Sequence, residues 1–75
     1  MEELKEYHNI IQEIWKTLKA SMLTAAEITS PTDPRWVKIC MDFDRIYDNA
    51  PANMKDYADS MVKMHIYELE RRWRH

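Results

Sequence analysis

Apolar residues recur at helical spacing through the first third of the chain. Two heptad series run side by side, one through Leu4, Ile11, Leu18 and Ala25 and the other through Tyr7, Ile14, Ser21 and Ile28. Ile10, Trp15 and Met22 widen this apolar stripe. The pattern predicts a long amphipathic helix over about residues 2–28, with the stripe in the core.

A second apolar series lies between two breaks that contain proline, residues 29–34 and 48–51. Its apolar side chains share one helical face: Trp36, Ile39, Cys40, Phe43, Ile46, Tyr47 and Ala50. Asp33 is a good N-cap and Pro34 suits the first helical position, so we predict a helix over 34–48. At its end, Asn49 is a candidate left-handed terminator or a cap for the next helix.

The third segment predicts a helix over about residues 51–73 with an unusually broad apolar surface. One face is centred on Ala58, His65 and Leu69 and flanked by Met54, Met61, Val62, Ile66 and Trp73. Tyr57, Met64 and Tyr67 lie on the side away from Val62, Ile66 and Trp73. A helix with this arrangement has more apolar surface than one bundle core can bury.

Three amphipathic helices joined by short links predict an all-α fold, an antiparallel three-helix bundle, with residues 1–75 forming a single helical domain. The same periodicity also fits a dimer, in which the first and third helices pair with those of a second chain. Sequence periodicity does not distinguish these arrangements.

Surplus apolar residues indicate where a partner would bind. A domain of 75 residues retains only a few kcal/mol of net stability, so apolar side chains outside the core call for an explanation. Val37 and Met41 form an i, i+4 pair on the otherwise charged outer face of the second helix. We predict a protein-binding surface formed by Val37, Met41, Tyr57, Met64 and Tyr67. We expect the partner to be another protein, either a second copy of the chain in a homodimer or a larger complex.

The composition argues against several kinds of site. The chain contains no glycine, which phosphate-binding loops, EF-hand loops and nucleophile elbows require at fixed positions. Its single cysteine cannot form an internal disulfide, and its acidic first residues do not resemble a secretory signal. The longest apolar run, residues 39–41, is far short of the roughly 20 residues that cross a bilayer. We therefore expect a cytoplasmic protein that does not enter membranes.

No cluster of reactive side chains predicts catalysis. His65 and Glu68 reverse the order found in di-iron helical bundles and lack companion carboxylates, so we predict neither a metal nor another cofactor. Asp44 and Asp48 share one side of a helix, but their neighbours give no reason for the two carboxylates to act as an acid and a base. Cys40 lies on the core stripe and is expected to act as a small buried apolar residue. We predict no catalytic residues and no enzyme activity.

The positive charge is concentrated at the C-terminal end. Eight basic and thirteen acidic residues give positions 1–70 a net charge of −5, whereas three arginines give positions 71–75 a charge of +3. Arg71, Arg72 and Arg74 could simply complement the dipole of the third helix. Alternatively, Arg71, Arg72, Trp73 and Arg74 could bind a nucleic acid or an acidic protein, with the indole as a stacking plane.

These observations favour a small, non-enzymatic helical protein that associates with itself or docks on a larger protein. An adaptor, an assembly factor or a stoichiometric inhibitor, including one of the small phage-encoded kind, would fit. The alternative hypothesis is a nucleic-acid-binding helical protein that uses its arginine-rich end.

Overall fold

Three α-helices that pack against one another form the core of the molecule. The computed structural model describes the backbone of residues 2–73 and the side chains of residues 4–73. The helices are α1 (Glu2–Ala25), α2 (Pro34–Asn49) and α3 (Lys55–Glu70), with a short 3-10 turn at Ala52–Met54. Each helix contacts the other two, and residues 2–73 contain no strand. The predicted three-helix bundle is confirmed.

Aromatic contacts at the two ends of the bundle fix the helix directions. Near the beginning of α1, the ring of Tyr7 meets that of Tyr57 edge-on at 4.7 Å, so α1 and α3 run parallel. At the opposite end, Trp36 at the start of α2 contacts Trp73, just beyond α3, at 5.0 Å. The middle helix α2 therefore runs antiparallel to both of its neighbours.

The first helix ends at Ala25 and not at residue 28, so the predicted end was wrong. The backbone tightens there, since the amide of Glu27 donates to the carbonyl of Thr24 at 3.0 Å and that of Ile28 to Ala25 at 3.1 Å. These are 3-10 bonds, which commonly close a helix. Outside the helix, Ile28 folds back onto the core and is fully buried.

The start of α2 agrees with the prediction. A carboxylate oxygen of Asp33 accepts the backbone amide of Arg35 at 2.8 Å, and Pro34 occupies the first helical position. The Arg35 guanidinium also donates to Asp33 at 2.9 Å and to Glu27 at 3.0 Å, which ties the loop to the helix. Hydrogen bonds from the side chain and backbone of Arg35 hold the pKa of Asp33 below its ordinary value.

Between α2 and α3, the connection is capped by a lysine. Asn49 remains helical and Ala50 is extended, and no described residue has a positive φ, so Asn49 is not a left-handed terminator. The ammonium of Lys55 donates to the carbonyls of Tyr47 at 2.6 Å and Asp48 at 2.9 Å. A cation here satisfies the last carbonyl groups of α2 and complements its dipole.

The third helix is shorter than the predicted range of 51–73. Its α-helical part spans Lys55–Glu70, because the chain after Pro51 first makes the 3-10 turn. Beyond Glu70, the amide of Arg72 donates to Leu69 and that of Trp73 to Glu70, again in the 3-10 pattern. The tightened end places the indole of Trp73 against Trp36.

One hydrophobic core lies along the axis of the bundle. It contains residues from every helix and from both connections, and its largest fully buried side chains are Phe43, Ile28, Met54 and Leu69. Ser21 is the buried polar residue among those described. This core fixes the rotation of each helix, and so determines which side chains remain on the surface.

Candidate functional site

The most exposed apolar surface lies on α1, where the sequence pattern predicted core. Four exposed residues follow one another at positions i, i+4, i+7 and i+11; we call Leu4, His8, Ile11 and Trp15 the α1 row. Trp15 is 66% exposed and Leu4 67% exposed. The prediction that these apolar residues are buried was wrong. Consecutive helical residues are about 100° apart, so Ile10 and Ile11 cannot both point into one core.

The α1 row faces the groove between α1 and α3. Tyr7, whose ring contacts Tyr57 of α3, lies one turn from both Leu4 and Ile11 on the helix surface. The other flank of α1, including Asn9 and Lys16, lines a groove shared with α2. The α1 row is therefore next to α3 and away from α2.

A matching series on α3 forms the other side of this groove. Tyr57, Met61 and Met64, which we call the α3 row, occur at positions i, i+4 and i+7. Met64 is exposed, whereas Tyr57 and Met61 are half-buried against the core. Tyr57 is thus less accessible than the sequence predicts because its ring packs on Tyr7. The α1 row and the α3 row together make up the α1/α3 face.

A second exposed series lies on α2. Its members again occur at positions i, i+4, i+7 and i+11; we call Val37, Met41, Asp44 and Asp48 the α2 row. All four side chains are exposed. The N-terminal half of this row is therefore apolar and its C-terminal half acidic.

The five residues predicted to bind a partner do not form one surface. Tyr57 and Met64 belong to the α1/α3 face, and Val37 and Met41 belong to the α2 row. Tyr67 is 70% exposed and lies farther around α3 than Met64. Sequence analysis missed the α1 row, although one signal was available. The adjacent pairs at positions 10–11 and 14–15 give α1 a wider apolar arc than two neighbouring helices cover.

Uncompensated charges flank the exposed rows. Lys5 and Lys19 lie beside the α1 row, and neither forms an ion pair with a described side chain. The same holds for the Asp44 and Asp48 carboxylates within the α2 row. Some other charges on α2 are paired, as in the 2.9 Å contact between Lys38 and Asp42. Each exposed row therefore has charges beside or within it that lack an ion-pair partner among the described side chains.

Cys40 is half-buried beside the α2 row. Burial raises the pKa of its thiol, and the negative charges of Asp44 and Glu70 raise it further. A thiol with a raised pKa is mostly protonated at neutral pH and is a poor nucleophile. This environment is the reverse of the electropositive one that activates catalytic cysteines.

His65 has a structural partner. Its Nδ1 lies 2.8 Å from the carbonyl oxygen of Met61, and since a carbonyl only accepts, Nδ1 must carry the proton and donate. The ring is half-buried. Within the described part of the chain, no three His, Cys, Asp or Glu side chains come together to hold a metal ion.

A separate groove of about 660 Å³ runs between α1 and α2. Its lining mixes the acidic residues Glu6, Glu13 and Asp42 with the basic residues Lys16 and Arg45. Lys16 approaches Glu13 at 3.7 Å, so part of this charge is already balanced. The groove is open and has no concentration of one charge that would select a ligand.

The arginine-rich end is partly engaged in the fold. Arg71 donates to Glu68 at 2.8 Å, and Arg72 is exposed. The indole of Trp73 meets Trp36 edge-on at 89°, and its Nε1 is buried without a partner among the described residues. Trp73 is therefore part of the packed end of the bundle, not a free stacking plane. Arg74 lies outside the described residues.

In residues 2–73, no helix combines the length and apolarity needed to cross a bilayer.

Comparisons with known proteins identify no relative of this chain. No protein-family model matches the chain, and no curated protein and no solved structure is significantly similar to it.

Proposed function

We propose that this chain is a non-enzymatic protein-interaction module that binds another protein surface through its α1/α3 face. The single observation that carries the proposal is the exposure of Leu4, Ile11 and Trp15 in one row, beside the exposed Met64. Isolated exposed apolar residues are normal in soluble proteins, but a contiguous apolar patch is typical of an interaction site.

The residue types in the α1/α3 face support this proposal. Tryptophan is enriched among the residues that contribute most to protein–protein binding, because a buried indole removes a large apolar area from water. Methionine has a flexible thioether that adapts to the shape of a partner. Trp15 on one side of the groove and Met61 and Met64 on the other thus combine a rigid anchor with adaptable contacts.

In this proposal the chain acts by binding its partner and not by catalysing a reaction. Because α1 and α3 are held by the core, the face is preformed and its helices need not be ordered on association. A preformed face suits a cytoplasmic adaptor, an assembly factor or a stoichiometric inhibitor. The bound protein is either a second copy of the chain, as in a homodimer, or a larger protein.

A substitution in the α1 row provides the test. We expect Trp15→Glu to weaken association by at least about tenfold while leaving the helical content unchanged, because a carboxylate in an apolar interface loses its hydration. Ala20→Glu is the matched control, since Ala20 is exposed on the same helix but on the side of the α1/α2 groove. Light scattering over a concentration series measures self-association, and circular dichroism measures helicity.

Cross-linking extends the test to larger partners. A benzophenone amino acid at position 15 should form a covalent adduct in cells, whereas the same group at position 20 should not. A mass of 9.1 kDa at every concentration, together with no adduct specific to position 15, would contradict the proposed function.

A further inference from the structure

The α1 row and the α2 row have the same spacing along their helices. Both follow positions i, i+4, i+7 and i+11, and both extend about 16 Å at a rise of 1.5 Å per residue. All eight side chains are exposed. Two straight helical rows of equal length can lie alongside each other in a helix–helix contact.

The side chains of the two rows complement each other only when the two helices run antiparallel. In an antiparallel arrangement, Trp15 lies opposite Val37 and Ile11 lies opposite Met41. The same arrangement brings His8 opposite Asp44. A parallel arrangement would instead press the carboxylates of Asp44 and Asp48 against Ile11 and Trp15, which is unfavourable because it buries unpaired charge.

The uncompensated charges fit the antiparallel arrangement as well. Asp48 lies opposite Leu4, and the ammonium of the adjacent Lys5 is within reach of that end of the row. Neither Lys5 nor Asp48 forms an ion pair with a described side chain. Contact between the rows would give each of these charges a partner of opposite sign.

We propose that the α1 row of one copy of this chain binds the α2 row of another copy in the antiparallel arrangement. This inference rests on the proposed function and specifies the partner. The α1 row faces the groove with α3, whereas the α2 row lies on a different helix beside Cys40. Two copies joined in this way leave one α1 row and one α2 row free, so association continues beyond the dimer.

Two variants that each disable one row test the inference. Trp15→Glu disables the α1 row, and Val37→Glu disables the α2 row at the position opposite it. We expect each variant alone to weaken self-association by at least about tenfold, since both alter the centre of the apolar contact. Each variant retains the row that the other lacks. A mixture of the two should therefore form a dimer with twice the mass of 9.1 kDa.

The wild-type chain and a control complete the experiment. Light scattering should show a wild-type mass that passes the dimer with rising concentration, and Ala20→Glu should behave in the same way. Sodium chloride should weaken the wild-type assembly, because it screens Lys5 and Asp48. The salt dependence is measured on the wild-type chain, so it does not depend on the folding of any variant.

Three results would overturn the inference. A mixture of the two variants that stays monomeric would rule out row-to-row contact. Normal assembly of Val37→Glu beside a monomeric Trp15→Glu would indicate that two α1/α3 faces bind each other, which leaves the proposed function intact. A wild-type chain that is monomeric at all concentrations would exclude self-assembly, and the adduct at position 15 would then decide the proposed function alone.

Discussion

Two neighbouring strips of α1, one buried and one exposed, each contain isoleucine in opposite environments. Ile14 is 2% exposed within the core, whereas Ile11, less than one turn away, is 46% exposed in the α1 row. Both residues are isoleucine on one continuous helix, so neither helix propensity nor hydrophobicity distinguishes them. The difference arises because α2 and α3 together cover only part of the circumference of α1.

This comparison separates the apolar residues that stabilise the fold from those that are available for binding. Complete burial of an isoleucine contributes roughly 1.5–3 kcal/mol, and an exposed one contributes much less. Residues such as Leu4, Ile11 and Trp15 therefore add little to the fold of the isolated chain. Their apolar character fits a role in association.

The largest expected effect is a difference in the free energy of unfolding between a substitution in the buried strip and one in the exposed strip. Ile14→Ala should lower the free energy of unfolding by about 2–5 kcal/mol, because it leaves a cavity in the core. Ile11→Ala should lower it by less than about 1 kcal/mol, because half of that side chain is already in water. Urea unfolding followed by circular dichroism, at a concentration where the chain is monomeric, measures both.

A milder pair of variants allows the same comparison if Ile14→Ala does not fold. Ile14→Val removes one methylene group and should cost about 0.5–1.5 kcal/mol, while Ile11→Val should change stability very little. Equal losses at positions 11 and 14 would show that α1 has a different rotation in the bundle. The α1 row would then not be a surface.

The next effect concerns the charges beside the exposed strip. Lys5→Glu and Asp48→Lys should each weaken self-association about two- to fivefold, which corresponds to roughly 0.5–1 kcal/mol for a partly exposed ion pair. The chain that carries both substitutions should recover to within about twofold of the wild type, because the pair is restored with exchanged signs. Sedimentation equilibrium gives the association constants.

A second double variant tests whether this recovery is specific. Asp42 pairs with Lys38 and lines the groove between α1 and α2, so it lies away from the α2 row. Combining Lys5→Glu with Asp42→Lys should therefore bring no recovery. Equal recovery in the two double variants would point to net charge, and the proposed antiparallel contact would be wrong.

The sequence predicts the helices well because their determinants are local. Proline at positions 31, 34 and 51 divides the chain, and the 3.6-residue periodicity identifies each segment as a helix. The capping of α2 by Asp33 followed from two adjacent residue types. The exposed pair Val37 and Met41 was also evident, because charged residues surround it on the helix surface.

The remaining features depend on tertiary packing. Which of two adjacent apolar residues in α1 is buried follows from the rotation of the helix, which α2 and α3 set together. The burial of Ile28 outside α1 and the contact of Trp73 with Trp36 require the chain to fold back at the end of the bundle where α1 and α3 finish and α2 begins. These events join residues that are distant in sequence, so a local pattern does not reveal them.

The smallest expected effect concerns Cys40 of α2, which is half-buried and so has an exposure between those of Ile14 and a fully exposed residue. Because burial, Asp44 and Glu70 raise the pKa of its thiol, the folded chain should react with iodoacetamide more slowly than the urea-unfolded chain at the same mildly alkaline pH. The rate in the folded chain should rise at a higher pH. Since the folded state holds this proton more tightly than the unfolded state, stability should fall as the pH rises through that range.

The pH profile separates this electrostatic effect from simple shielding of the sulfur. Shielding lowers the limiting rate at high pH, whereas a raised pKa moves the midpoint of the profile. Asp44→Asn removes one of the charges that raise the pKa, so it should move the midpoint downward. An unchanged midpoint would show that Asp44 does not act on Cys40. Slower alkylation of the wild type at concentrations where it associates would further indicate that the α2 row becomes covered, because Cys40 lies beside that row.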